Sequence, residues 1–232
     1  MKRFYKDVTI AGTDLGWTIS LDGRPLKTQG GQPQVVPSEA LAGMMAEEWQ
    51  GQGDTIDPAA FRFRDMTDYA LDVVARDPEA VRAKVLKFAE TDTLCFRADP
   101  EDPLWKRQNE VWEPIVTALE QREAIRMPRV SGVIAPSPDR ETLHNLVGRL
   151  ASLDPFALAA LEQTTALAAS LCIGLATLEE DADGDALWDA ANLEEDWQAD
   201  LWGWDEEAEE RRARRKEDFL AAIAFARAAR AG

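Results

Sequence analysis

The sequence predicts an α+β protein. A small β-rich N-terminal domain over residues 1–77 precedes a mainly α-helical C-terminal domain over residues 78–232. Three observations predict it. "RFYKDVTI" alternates apolar and polar residues, the period of a strand. "GWTISLDGRPLKT" sets Asp22-Gly23 between two short strand-like runs, and Asp-Gly signals a hairpin because both central residues of a type I′ turn need positive φ. At Pro37 the apolar spacing changes to that of a helix and stays so, one loop apart, to the C-terminus.

In order along the chain, "TQGGQPQVV" adds a turn and a further short strand. Ser38 can cap a helix in which Leu41, Met44, Met45, Glu48 and Trp49 recur at helical spacing, ending near "GQGDT". A second helix over about 65–75 puts Tyr69 and Val73 on one face, and Asp77-Pro78 opens a third through Val81, Val85 and Phe88. "DPLWKRQNEVWEPIVTALEQRE" is a longer helix that Pro114 kinks or splits. "MPRVSGVIAPSP" reads as a loop with one short extended piece. Helices follow over about 138–151, from the Asp154 cap and Pro155 to about 178, then over 186–201 and 205–229, with "DADGD" as a break. The segment 156–178 is apolar nearly all round, but Glu162 and Gln163 interrupt it and Ala and Thr dominate, so it reads as a central buried helix and not a membrane span. The domain boundary is placed at 75–78, where the composition marks it poorly.

The net charge is −17, and from Leu150 to Glu210 there are seventeen acids and no Lys or Arg. The remaining 26 acids and 26 bases cancel, so one segment holds the whole imbalance. A phosphate-binding surface needs clustered Lys and Arg, so nucleic acid and anionic membranes are disfavoured partners. A basic protein partner, or solubility alone, fits better. The start "MKRFYKDVTI" has no apolar signal region. Cys95 and Cys172 lie far apart in apolar surroundings and read as reduced, buried thiols.

Catalytic patterns are missing. The one histidine, His144, sits on "RETLHNLVGRL" as a surface or half-buried helical residue. No GxSxG, HExxH, CxxC, P-loop or GxGxxG stands in the chain, so neither a metal nor a cofactor is expected. What remains is Trp49, Trp105, Trp112, Trp188, Trp197, Trp202 and Trp204 standing beside charge. Most read as core residues. The rest suit a binding surface, because tryptophan offers a large apolar area with a polar handle.

Five separated motifs then come into line: "RFYKDVTI"; "ISLDGRPLKT" with "VVPSEALAGMMAEEWQGQ"; "ALDVV" with its Asp72; "ETDTLCFRA"; and "LEEDWQADLWGWDEE". Together they resemble the F(1)-ATPase assembly chaperones that bind the alpha subunit of ATP synthase before the hexamer forms. The resemblance covers nearly the whole chain. It implies a binding protein without catalytic residues, with the alpha subunit as partner; the oligomeric state is left open, with a monomer as the default. It also implies that Glu194 and Trp49 matter for function, and it matches Gln52, Asp72, Gln198, Trp202 and Gly203 to motif positions. Glu194 reads either as a partner-binding carboxylate or as a buried group holding the turn around Trp202. Trp49 reads as packing between the two halves or as direct contact. One departure stands out: "FRFR" from Phe61 to Arg64 replaces the family's Met-Pro-Leu-Thr, losing a proline and gaining two arginines. With no transit peptide in view, a bacterial member in the cytoplasm is the expectation. The alternatives are a carboxylate-dependent hydrolase using Glu194, Glu195 and Asp196, which predicts a deep pocket with a raised carboxylate pKa, and a subunit that stays in a stable complex.

Overall fold

Asp22 and Gly23 both adopt positive φ, 49° and 77°, as a type I′ turn demands. The computed structural model, which describes residues 1–132, 137–203 and 205–231, pairs strand β2 (Gly16–Leu21) with β3 (Arg24–Pro25) across this turn. Asp22 then accepts from the backbone N–H groups of Lys6 and Asp7 at 3.0 and 2.9 Å. Strand β1 (Val8–Thr13) pairs antiparallel with β2, and β4 (Val35–Val36) pairs with the other end of β2. The alternation in "RFYKDVTI" therefore begins before its strand. Tyr5 is buried and Phe4 exposed, and ahead of β1 the backbone is held by a bridge from Lys2 to Thr55 and by Asp22 N donating to Asp7 O at 2.9 Å.

Ser38 caps helix α1 (Glu39–Gln50): its Oγ accepts from Leu41 N at 3.0 Å and donates to the carbonyl of Ala228 at 2.5 Å. Helix α2 (Arg62–Tyr69) runs on into a π-turn, Ala70–Val74. These elements belong to one compact unit, Met1–Pro78 with Asp154–Ala160 and Ala221–Gly232. Its core holds Ile19, Val36, Leu41, Met45, Phe61 and Val74, and Phe156 meets Phe225 at 5.9 Å.

The second unit is Glu79–Leu153 with Leu161–Leu220. Helix α3 (Pro78–Leu86) leads to strand β5 (Phe96–Arg97), which pairs parallel with β6 (Val130–Ser131), the short extended piece expected there. The part of that loop at 133–136 lies outside the described residues. Helix α4 (Pro103–Glu123) is continuous through Pro114, whose exposed ring sits on the solvent side. Helix α5 (Arg140–Ala151) follows the Asp139 cap and carries His144 exposed.

The expected helix over 156–178 is two helices, α6 (Pro155–Ala168) and α7 (Leu171–Ala176). Ala169 turns left-handed at φ 49°, and Ser170 restarts the chain by accepting from Ile173 N at 3.1 Å. A Cβ on Gly174 would stand 2.0 Å from Thr165 Oγ1, so only glycine lets these helices meet. The expected helix over 186–201 also divides, into α8 (Gly184–Ala191) and α9 (Leu193–Trp202). The break is at Asn192, where the backbone leaves the helical region (φ −106°, ψ 14°) while its side-chain amide and its backbone N–H both donate to Trp188 O, at 2.8 and 3.1 Å. Helix α10 (Glu206–Arg230) completes the chain. No helix among the described residues is long and apolar enough to cross a membrane.

Candidate functional site

The sequence-matched residues fall into two groups, one in each unit. In the first, three residues of "EEWQGQ" do three different jobs. Trp49 is 7% exposed, edge-on to Tyr5 at 5.4 Å and against Phe61 at 4.4 Å, with the Arg64 guanidinium 5.9 Å over its ring. Its described ring contacts are thus internal to the first unit. One residue earlier, the Glu48 carboxylate accepts from Phe63 N at 2.7 Å and Arg64 N at 3.0 Å. Helix α2 has no side-chain cap of its own, so Glu48 satisfies the N–H groups that a helix start leaves unpaired. Three residues after Trp49, Gln52 is buried, accepts from Asp57 N at 2.7 Å, donates to Glu48 O at 3.1 Å, and offers its carbonyl to Arg3 at 2.5 Å. The "FRFR" departure lies here: Arg64 stacks on Phe61 at 4.0 Å and pairs with Asp65 at 2.5 Å.

Asp72, in the π-turn, accepts from Thr28 Oγ1 at 2.8 Å and Gly30 N at 2.7 Å. A Cβ on Gly30 would lie 2.5 Å from that carboxylate, so the glycine is a matter of close approach. Asp68, one turn earlier, binds the same loop through Gln29 N at 3.2 Å and Gln34 at 2.6 Å. The loop "TQGGQ" is therefore pinned by two acids at i,i+4 spacing.

The second group is on α9. Glu194 lies in its first turn, where a carboxylate suits the helix dipole. It accepts from Gln108 Nε2 at 2.6 Å, and Gln108, fully buried in α4, accepts in turn from Ala98 N at 2.8 Å. The contact therefore joins α9 to α4 and not to the turn at Trp202. Beside it, Arg97 is buried, 5.1 Å over the Trp112 ring, donating to Gln108 O at 3.2 Å and pairing with Glu113 at 3.1 Å. Trp112 donates to Ala190 O at 2.7 Å. Along α9, Trp197 is half-buried and Gln198 exposed. The helix ends in Leu201, 60% exposed, and Trp202, 78% exposed, and Gly203 terminates it at φ 91°. Trp204 lies outside the described residues.

Residues 2–120 match the family described as ATP12 chaperone protein. The chain belongs to the ATP12 chaperone family. The crystal structure of Atp12 from Paracoccus denitrificans superposes with a TM-score of 0.93 at 36% identity, covering 99% of this chain and 98% of that one. The Atu1473 protein of Agrobacterium tumefaciens superposes at 0.92 with 38% identity, over 98% and 85%. Protein atp12, mitochondrial, of Schizosaccharomyces pombe is 26% identical over 221 residues, 90% of this chain and 76% of that protein.

Within this ATP12 chain, reading the sequence missed Glu48 as a cap and Gln108 as the partner of Glu194. A carboxylate one residue before a core tryptophan was a usable signal for the first; nothing near Gln108 marked the second. It also missed that Asp92, Cys95 and Cys172 come together, all buried, with one potential ligand atom from each within 4.8 Å of the others. Both Asp92 oxygens are already engaged, by Leu94 N, Ser170 Oγ and Cys172 N at 3.0, 2.7 and 2.8 Å. The cluster is thus knit together by internal hydrogen bonds. The Cys172 thiol is held well above its usual pKa, first by its hydrogen bond with Cys95, then by burial.

Burial raises the pKa values of Glu48, Asp68, Asp92 and Asp196. A raised folded-state pKa gives stability that is present below the unfolded value, about 4, and lost as pH rises through the folded value. Asp22 and Asp139 are lowered by hydrogen bonds, foremost from the backbone N–H groups of Asp7 and Thr142. Their contribution fades only as pH falls through their lowered folded values. As pH falls through the raised folded values of these four carboxylates, Tm should therefore rise, until Asp22 and Asp139 begin to protonate. Calorimetry at fixed ionic strength checks this, and a Tm that falls steadily all the way from neutrality to the unfolded carboxylate value, about pH 4, contradicts it.

Proposed function

We propose that this chain is an ATP-independent, subunit-specific chaperone that holds the free alpha subunit of F(1)-ATPase until the catalytic hexamer assembles. It works as a monomer in the bacterial cytoplasm, without cofactor and without catalysis. Family membership supports the chaperone class. The observation that carries the site is the exposed Leu201–Trp202 pair at the end of an acidic helix whose first turn is fixed to α4 through Glu194. An isolated subunit exposes apolar surface meant for its neighbour, and an exposed tryptophan is a fitting anchor for such a surface.

Co-expression of the alpha subunit with this chain, without the beta subunit, tests the reading. Wild type should keep alpha soluble and co-elute with it. Trp202→Ala should weaken capture by about 2 kcal/mol or more while leaving the circular dichroism unchanged. Glu194→Lys should lower capture too, because it breaks the Gln108 bond that orients α9. Alpha that stays insoluble beside the wild-type chain sinks the reading.

One observation favours the hydrolase alternative. Asp196, raised by burial, lines a cavity of about 600 Å³. Its carboxylate is nevertheless tied to Arg212 at 2.6 Å, Glu195 is exposed, and Glu194 is bound to Gln108. That arrangement suits a charged wall better than a general acid.

A further inference from the structure

Helix α4 presents two faces. Trp112, Val116 and Leu119 are buried, whereas Val111 and Ile115 are half-buried and Ala118 is exposed. The second set, at i, i+4 and i+7, forms an apolar stripe with Arg107 and Arg122 at its ends. Across from it stand Ala186 and Ala190 of α8, then Leu193 and Trp197 of α9. Two cavities of about 600 and 580 Å³ lie between these walls and share Val111, Ala186 and Ala190, so they form one continuous groove. From Arg107 to Arg122 it is about 22 Å long, or about four helical turns. The small residues Ala118 and Ala186, both exposed, leave room for a backbone to come close.

The rim is acidic. Glu179, Asp181 and Asp183 edge one end, and Asp189, Asp196 and Asp200 the other, against three arginines, Arg107, Arg122 and Arg212. Arg212 bridges Asp196 and Asp189, at 2.6 and 3.9 Å, and Arg122 reaches Glu179 at 3.3 Å. Asp181 and Asp200 have no cationic partner among the described residues. Part of the segment without Lys or Arg is thus spent on the edge of an apolar groove and not on an ordinary solvated face.

The geometry points to a docking groove for an amphipathic helix of the client subunit, apolar along one face and carrying Lys or Arg on its flanks. The length, the helical spacing of the stripe and the acidic rim each select that occupant: a helix packs its ridge into such a groove, and its basic flanks meet the rim. The inference rests on the chaperone reading above and adds where, and by what, the client is held.

The test titrates purified free alpha subunit against the chain. Ala118→Trp and Ala186→Trp, both at exposed positions, fill the groove without opening the core and should weaken binding at least about tenfold. Val147→Trp, on the exposed face of α5, should leave binding unchanged. The pair Asp181→Lys and Asp200→Lys should weaken binding at low salt and much less at high salt. A photo-crosslinker placed at Ile115 should capture a basic helical segment of alpha. A wild-type chain that does not bind alpha removes the chaperone reading itself. A wild type that binds, with groove variants that bind equally or a Val147 control that loses as much, overturns the groove and leaves the reading intact. Crosslinks to an acidic or extended segment, or to a second copy of this chain, overturn it as well.

Discussion

Trp49→Ala should lower the free energy of unfolding by about 3–5 kcal/mol, the cost of removing a buried aromatic whose site collapses only in part. The ring is wedged between Tyr5 and Phe61, and its backbone carbonyl accepts the Tyr5 hydroxyl at 2.6 Å. Truncation therefore loosens three elements at once: the N-terminal segment, the end of α1, and the start of α2 that Glu48 caps. Trp49→Phe keeps most of the apolar area and should cost clearly less. Urea unfolding monitored by circular dichroism measures both. The same variants separate packing from partner contact. If Trp49 acts through the fold, client capture follows the folded fraction and recovers at lower temperature. A Trp49→Ala protein that is as stable as wild type but captures nothing would falsify the packing role.

This division between packing and surface was only partly legible in the sequence. Asp22-Gly23, Ser38 and Asp154-Pro155 announced their turn and helix starts because each carries local chemistry: positive φ, or an oxygen for an unpaired N–H. The break at Ala169 carried none. Alanine favours the helix, and it turns left-handed because Thr93 donates to its carbonyl, from N at 3.2 Å and Oγ1 at 2.9 Å, and because Asp92 holds the following Ser170. Those donors lie more than seventy residues away, and no local pattern encodes them. The inclusion of Asp154–Ala160 and Ala221–Gly232 in the first unit was equally hidden, since apolar periodicity says that a face is buried but not which core receives it.

The tryptophans beside acids show the same limit. Trp112 and Trp188 are fully buried and Trp202 is 78% exposed, yet all three stand at helical spacing among charges. What separates them is the neighbouring helix. Trp112 points from α4 toward α8 and finds Ala190 O, and Trp188 packs on Phe219 at 5.4 Å, while Trp202 stands where α9 stops at Gly203. The acids are spread differently again. Glu194 binds inward to Gln108, Asp196 pairs with Arg212, and Asp200 stays exposed. In "NLEEDWQADLWGWDEEAEERR" neither type of residue prevails: the first turn of α9 fixes the helix and its last turn exposes it.

Asp92→Ala should be as damaging as any change in the second unit. The carboxylate is fully buried and gathers three donors from two distant segments: Leu94 N, Ser170 Oγ and Cys172 N. Alanine leaves all three without their acceptor in a site that excludes water, at about 1–3 kcal/mol for each buried group left unpaired. Removing a desolvated charge offsets part of that, so a net loss of about 3–5 kcal/mol is expected. The thiols of Cys95 and Cys172 lie close to the same carboxylate, so the seating of the start of α7 on the 92–95 segment should loosen with it. Asp92→Asn keeps the shape and one acceptor oxygen but turns an N–H₂ toward a donor, and should fall between the two. Urea midpoints for the pair, compared with wild type, measure this. An alanine variant within about 1 kcal/mol of wild type would mean that the donors find other partners and that Asp92 does not hold the α6–α7 break in place.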